Sequence, residues 1–350
     1  MTSLERIRCA GGLGKPDAIP VAPFMGNHGA RVAGVPVDEY CRSGRLMAAA
    51  QSRAWGVYHQ DVVVAQSDNY YIAEGFGTVV EHHADSTPSL KRPAIQDLSD
   101  IGRLVVPDPR KDGRMPVYLE AIGRLADRFA GQVAVRAPGT GPFSLASHLM
   151  GTERFLMELA MADLEPGGQA ERSLRTLMSL TTEALIAFAK ACLEAGANIV
   201  QNGDSLASID MISPDMYRRW AWPYEQRFFA EVNPLAARRG AATLLHICGN
   251  MTPVLDRMAD TGANILELDA KVDLRVAKKQ VGHRVCLMGN LNPVSVLWRG
   301  TTADVEHAAR EAILAAGAAG FILGSGCEVP MAAPQENIAA MIHIARTWRA

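Results

Sequence analysis

The chain has 350 residues, 48% hydrophobic and 21% charged, with 35 Lys and Arg against 37 Asp and Glu for a formal net charge of −2. That is ample material for a large buried core, and the near-neutral balance with few aromatics excludes the electrostatic footprint of a nucleic-acid binder. The first residues, "MTSLERIRCAGG", carry charge where a secretory signal needs an apolar core, and no stretch offers roughly 18 uninterrupted apolar residues, so a cytoplasmic protein without a membrane span is expected. Cys9, Cys41, Cys192, Cys248, Cys286 and Cys327 are dispersed and form no CxxC, which predicts reduced thiols.

Eight short β-branched runs follow one another along the chain: "IPVAPFM" (19–25), "DVVVAQ" (61–66), "QVAVRAP" (132–138), "NIVQN" (198–202), "TLLHI" (243–247), "NILELD" (264–269), "RVCLMG" (284–289) and "GFILG" (320–324). Each ends in glycine or polar residues and precedes helix-like sequence, the usual writing of a parallel α/β sheet. Residues 26–60 and 67–131 hold helical material, and "LKRPAIQDLSDIGRLVVPDPRKDGRMP" reads as a surface excursion. Between the last five runs lie "PDMYRRWAWPYEQRFFAEV", "MTPVLDRMADTG", "VDLRVAKKQVG" and "TADVEHAAREAILAAG", each about one crossover helix long. The closing "PQENIAAMIHIARTW" predicts an amphipathic helix with Ile338, Met341, Ile342 and Ala345 on one face. The rhythm predicts one (β/α)8 TIM barrel spanning residues 1–350. An open doubly wound sheet is the alternative, but no GxGxxG or P-loop follows any strand.

A barrel gathers the C-terminal strand ends at one mouth, where catalytic residues are sought first. In chain order that mouth would hold Asn27 and His28, then Asp68, Tyr70 and Glu74, then Arg136, then Asn202 and Asp204. The last four strands would add His246 and Cys248, Glu267 and Asp269, Asn290 and Asn292, and Cys327 with Glu328. His246 and Cys248 are two apart, so on an extended strand both side chains point the same way. An H-x-C pair arises by chance in roughly one such sequence in six or seven. With Cys327 at another strand end, however, the three form an N, S, S set that leaves a fourth tetrahedral position for solvent or substrate, as in a catalytic zinc site. Asp68, Asp204, Glu267 and Asp269 could instead bond loop amides or cap helices, and Arg136 on an apolar strand requires a carboxylate partner or a ligand.

The stretches "LLHICGNMTPVLDRMADTGANILELDAKVDLRVAKKQVGHRVCLMGNLNP" and "GFILGSGCEVPMAAPQENIAAMIHIAR" make the chain resemble the uroporphyrinogen decarboxylase superfamily. "GANIVQNGDSLASIDMISPDMYRRWAWPY" extends the likeness, which is closest to the zinc-dependent, corrinoid-linked methyltransferases of that superfamily. The resemblance implies Zn2+ held by His246, Cys248 and Cys327, with Glu267, Asp269 or Asp204 as a fourth ligand or as the group that orients His246. Substrate contacts are then sought among Asn27, His28, Asp68, Tyr70, Glu74 and Asn202. The decarboxylases carry an arginine-rich "RQAGR"-type carboxylate grip, and the matching stretch here is "MGNHGARVAG"; Asp68 falls where they place a catalytic aspartate.

The corrinoid-binding pattern D-x-H-x-x-G is absent, so a separate corrinoid (cobalamin) protein is the implied partner. The methyl group would pass between that corrinoid and either a small methylated compound (O-, N- or S-methyl, or a methyl halide) or a thiol or folate acceptor. Two alternatives stand beside this expectation: a metal-free decarboxylase using Asp68, and a non-enzymatic binding module with a structural zinc.

Overall fold

The computed structural model describes residues 1–348. All eight expected strands are present: β1 (Val21–Ala22), β2 (Val62–Val64), β5 (Ala134–Arg136), β6 (Ile199–Gly203), β7 (Ala242–Ile247), β8 (Ile265–Leu268), β9 (Cys286–Leu291) and β10 (Phe321–Ser325). They are parallel in the order β1-β10-β9-β8-β7-β6-β5-β2. The Asp61 amide donates to the Val21 carbonyl at 2.8 Å and so bridges the two edge strands, closing a (β/α)8 barrel. The short hairpin of β3 (Val79–Glu81) and β4 (Ser89–Arg92) stands apart from it.

Sequence reading missed that hairpin, because its strands are short and mostly solvent-facing. It also missed the first helix, Ser3–Gly11, which begins at a capping box of Thr2 and Glu5. Leu4, Ile7 and Ala10 of that helix pack against Ala22, Val62, Ala134, Ile199, Leu244, Ile265, Cys286, Met288 and Ile322, which fill the lower half of the barrel lumen. Each fully buried aliphatic side chain there is worth about 1.5–3 kcal/mol, so this plug is a main anchor of the fold.

The crossover helices fall where the periodicity puts them. The stretch from Pro214 is interrupted by a π turn at Tyr217–Ala221 before the helix Trp222–Arg238. Pro223 has no N–H and crowds the carbonyl four residues back, which a wider turn accommodates. The last helix, Gln335–Thr347, buries Ile338, Met341, Ile342 and Ala345 as its pattern requires. The helix Gln169–Glu194 is long and apolar enough to cross a membrane by length and composition, but 67% of its apolar window is buried within the protein, as in a core helix.

One expectation needs correction: the Pro- and charge-rich excursion is not wholly superficial. Arg114, within it, is buried and reaches back to the end of β2, where it forks onto Asp68 at 2.7 and 2.8 Å.

Candidate metal centre

Strand β7 carries His246 into the lumen, in register with Glu267 of β8. The chain then turns at Gly249, whose φ of +88° and crowding against Ser208 and Asp210 leave no room for a side chain. This turn brings Cys248 back over the mouth. Cys327 arrives from β10 after Gly326, where an added Cβ would lie 2.6 Å from the Ala270 amide nitrogen.

The three potential ligand atoms of His246, Cys248 and Cys327 lie within 4.8 Å of one another, and among the described residues no further His, Cys, Asp or Glu joins them. The His246 Nε2 to Cys248 Sγ distance is 3.3 Å, and the two sulfurs are 3.8 Å apart. Zinc bond lengths at a tetrahedral angle call for an S to S edge of about 3.8 Å and an N to S edge of about 3.6 Å. The donor set therefore fits a zinc ion in chemistry and in spacing.

The protonation pattern agrees. His246 Nδ1 faces the Glu267 carbonyl at 3.1 Å; a carbonyl only accepts, so Nδ1 carries the proton and Nε2 is left to bind a metal. Hydrogen bonding from Cys327, and then from His246 and Ser205, pulls the Cys248 thiol well below its ordinary range. Cys327 rises, its proton held by the hydrogen bond to Cys248. Burial alone would lower His246, but the adjoining Cys248 sulfur lifts it to about 9. The pocket thus stabilises one anionic sulfur, at Cys248, between the proton-holding His246 and Cys327.

Behind His246, Arg136 from β5 forks onto Glu267 at 2.7 and 2.6 Å, and both side chains are buried. Arg136 Nε donates to Gln201 Oε1 at 2.9 Å, and its guanidinium lies 4.4 Å from the centre of the Phe24 ring. The expected carboxylate partner of Arg136 is therefore Glu267. Burial would raise Glu267, and the Arg136 charge more than offsets this, so the carboxyl is held below its usual range.

The three acids expected as a fourth ligand lie outside the His246, Cys248 and Cys327 cluster, and each has hydrogen-bond partners of its own. Asp204 accepts from the Phe143 and Ser144 amides at 3.2 and 2.6 Å, capping the helix Pro142–Met150, while burial lifts its carboxyl to about 6. Asp269 accepts from the amides of Gly249 and Lys271, both at 2.9 Å. Glu267 lies behind the imidazole, with Oε2 3.5 Å from His246 Nδ1.

The expected substrate contacts divide. Asn27 is tied to Ser67 through Ser67 Oγ and the Ser67 carbonyl, both at 2.8 Å, and its amide donates to Glu328 at 3.0 Å. His28 is buried between Tyr58 Oη at 2.9 Å and the Met331 carbonyl at 3.2 Å. Asp68 is taken up by Arg114 and by Tyr118 Oη at 3.0 Å. Glu74 accepts from Arg114 Nε at 2.6 Å, and half-buried Tyr70 packs on the His148 ring at a centroid distance of 4.7 Å.

Asn202 is corrected outright. It pairs in register with Leu245 and shares with Val200 the face turned to the helices, because alternate strand residues face opposite ways and Gln201 takes the lumen. Gln201, Ser205, Phe24 and Arg114 were not singled out by sequence. Gln201 was legible by its spacing of two from Ile199 on the lumen face, whereas the others had no local signal.

A sequence profile of the uroporphyrinogen decarboxylase (URO-D) family matches residues 2–348. The chain belongs to this family. It is 32% identical over 262 residues to the methylcobamide:CoM methyltransferase MtbA of Methanosarcina mazei, covering 75% of this chain and 72% of that protein. It is also 32% identical over 243 residues to the methylcobamide:CoM methyltransferase MtaA of Methanosarcina barkeri, covering 69% and 66%. A solved methyltransferase from Methanosarcina mazei superposes with a TM-score of 0.88 at 26% identity, covering 99% of this chain and 98% of that one. Within the family the chain is an enzyme of the corrinoid-dependent methyltransferase branch.

Proposed function

We propose that this family member is a zinc-dependent methyltransferase, a single barrel domain acting in the cytoplasm, that passes a methyl group between the corrinoid of a separate protein and the sulfur of a small thiol. The observation that carries the reading is the convergence of His246, Cys248 and Cys327 at the mouth. The names of the related enzymes, methylcobamide:CoM methyltransferases, support the thiol as acceptor.

His246 Nε2 and the Cys248 and Cys327 sulfurs would hold the metal. Zinc bound there supplies a Lewis acid that lowers the pKa of a substrate thiol, so that thiolate is present at neutral pH. The protein's own residues prepare that site: the Glu267 carbonyl fixes the His246 tautomer, and the turn at Gly249 holds Cys248 toward the mouth. The corrinoid protein would dock over the same mouth, where Cys248 and Cys327 are partly exposed.

The decarboxylase alternative draws less support. Both Asp68 oxygens are occupied by Arg114, and Arg31, the arginine of "MGNHGARVAG", is exposed to solvent on the helix Gly26–Ala33. A structural zinc in a binding module calls for a fourth protein ligand, and the described residues bring three together.

The test is metal content and turnover together. Purified protein should hold about one zinc per chain and demethylate methylcobalamin in the presence of a thiol, followed by its visible absorbance. Full turnover in zinc-free protein sinks the reading, and carbon dioxide release from uroporphyrinogen would put the decarboxylase in its place.

A further inference from the structure

The two sulfurs at the mouth face each other directly. Cys248 Sγ and Cys327 Sγ are 3.8 Å apart and in hydrogen-bond contact. A disulfide holds its sulfurs at about 2.05 Å, so closure asks for an approach of roughly 1.8 Å. Both residues stand beyond the strand ladders, Cys248 just past the end of β7 at Ile247 and Cys327 after β10 ends at Ser325. Two loops and two side-chain rotations therefore share the approach, and the barrel registers stay as they are. Both cysteines are also partly exposed, which lets a small reagent reach them.

The other cysteines lack this combination. Cys41, Cys192 and Cys286 are buried, and Cys9 lies on the helix Ser3–Gly11 that plugs the opposite end of the lumen.

A mouth that admits a small thiol also meets that thiol's symmetrical disulfide, RSSR, and exchange with it runs in two balanced steps. One cysteine sulfur, as thiolate, attacks a sulfur of RSSR; a protein–sulfur bond to SR forms, the S–S bond of RSSR breaks, and RS− leaves with the electron pair. The second cysteine then attacks the first cysteine's sulfur and expels the second RS−. The protons of the two cysteines end on the two departing RSH molecules, the protein pair is oxidised by two electrons, and RSSR is reduced.

We propose that Cys248 and Cys327 form a redox switch: in zinc-free protein, the disulfide of a small thiol couples the two sulfurs, and the coupled pair takes up no zinc until a thiol reduces it. The inference rests on the zinc reading above. Once the sulfurs are linked, both thiolates are gone and His246 is left as the one strong donor of the three. In the loaded site both sulfurs are committed to the metal, which has no redox chemistry of its own, so the pair is protected. The switch ties loading of the enzyme to the reduced state of its own substrate.

The test uses zinc-free full-length protein, prepared by chelation and kept reduced, then mixed with diethyl disulfide. Free thiols are counted and mapped by alkylation and mass spectrometry. The count should fall by two from the six of the reduced chain, with a single cross-linked peptide pair joining Cys248 to Cys327. The oxidised protein should bind no zinc, and dithiothreitol should restore the thiols and the zinc together. Zinc-loaded protein should react at least roughly tenfold more slowly. In Cys327→Ser the exchange should stop at a mixed disulfide on Cys248, seen as added mass.

Six thiols persisting in the zinc-free protein overturn the proposal. So does a mixed disulfide that never closes in the wild type, a cross-link that omits either cysteine, zinc uptake unchanged by the cross-link, or an equal rate with and without zinc. Reduced protein that takes up no zinc overturns the proposed function itself; the cross-link is still read by mass, so the two failures are distinguished.

Discussion

The two halves of the barrel lumen are built on the same strands and differ by one step of the pleat. At the lower level Ala134, Ile199, Leu244 and Ile265 meet the N-terminal helix in a dry apolar layer. Two residues further along those strands stand Arg136, Gln201, His246 and Glu267, joined by direct polar contacts. Since alternate residues share a face, a two-residue advance keeps the direction and changes only the height. The lower layer supplies the stability that lets the upper layer hold charges and thiols in positions that packing alone would not choose.

If this division is sound, damage above should spare stability and damage below should spare chemistry. The largest effect is expected from Cys248→Ser or Cys327→Ser: zinc is lost on metal analysis and methyl transfer drops by about a thousandfold or more, while the denaturation midpoint matches that of the zinc-free wild type. Next, Ile265→Ala in the lower layer should cost about 2–5 kcal/mol in urea unfolding, with zinc content per folded chain unchanged. A large loss of zinc in that variant would break the comparison, because it would tie the metal site to packing two residues away.

A third effect is pH-dependent and sits beside the mouth. Burial holds His148 down from 6.5 to about 4, so the unfolded chain binds its proton first as pH falls. Stability from this group is whole above about pH 6.5, declines as pH drops toward 4 and is level below, a loss of up to about 3 kcal/mol. Urea midpoints across that range should show the decline in the wild type and a flatter profile in His148→Gln. The smallest effect concerns the plug: Thr2→Ala removes half of the capping box that starts the helix Ser3–Gly11 and should cost about 1 kcal/mol, read by thermal unfolding with activity intact.

Reading the residues in order recovered every barrel strand, because a parallel strand buried on both faces is written as a dense β-branched run that needs no context. The proposed metal ligands were legible for a similar reason: His246 lies on β7, Cys248 follows just past its end, and Cys327 follows the end of another strand. The carboxylates were not. Asp68, Asp204, Glu267 and Asp269 all looked alike as acids at strand ends, and the fold gave them different work: an arginine fork for Asp68 and Glu267, a helix cap for Asp204, and loop amides for Asp269.

Local sequence by itself thus determined the strand pattern, the barrel it implies, and the H-x-C pair with its distant cysteine, all of which depend on periodicity or near neighbours. Tertiary structure alone decided that Arg136 meets Glu267 across 131 residues, that Arg114 returns from an excursion to hold Asp68, and that Asn202 faces the helices rather than the mouth. Those outcomes depend on barrel closure and on register between strands, where a shift of one residue reverses which side chains face the lumen, and no stretch of the chain encodes that alone.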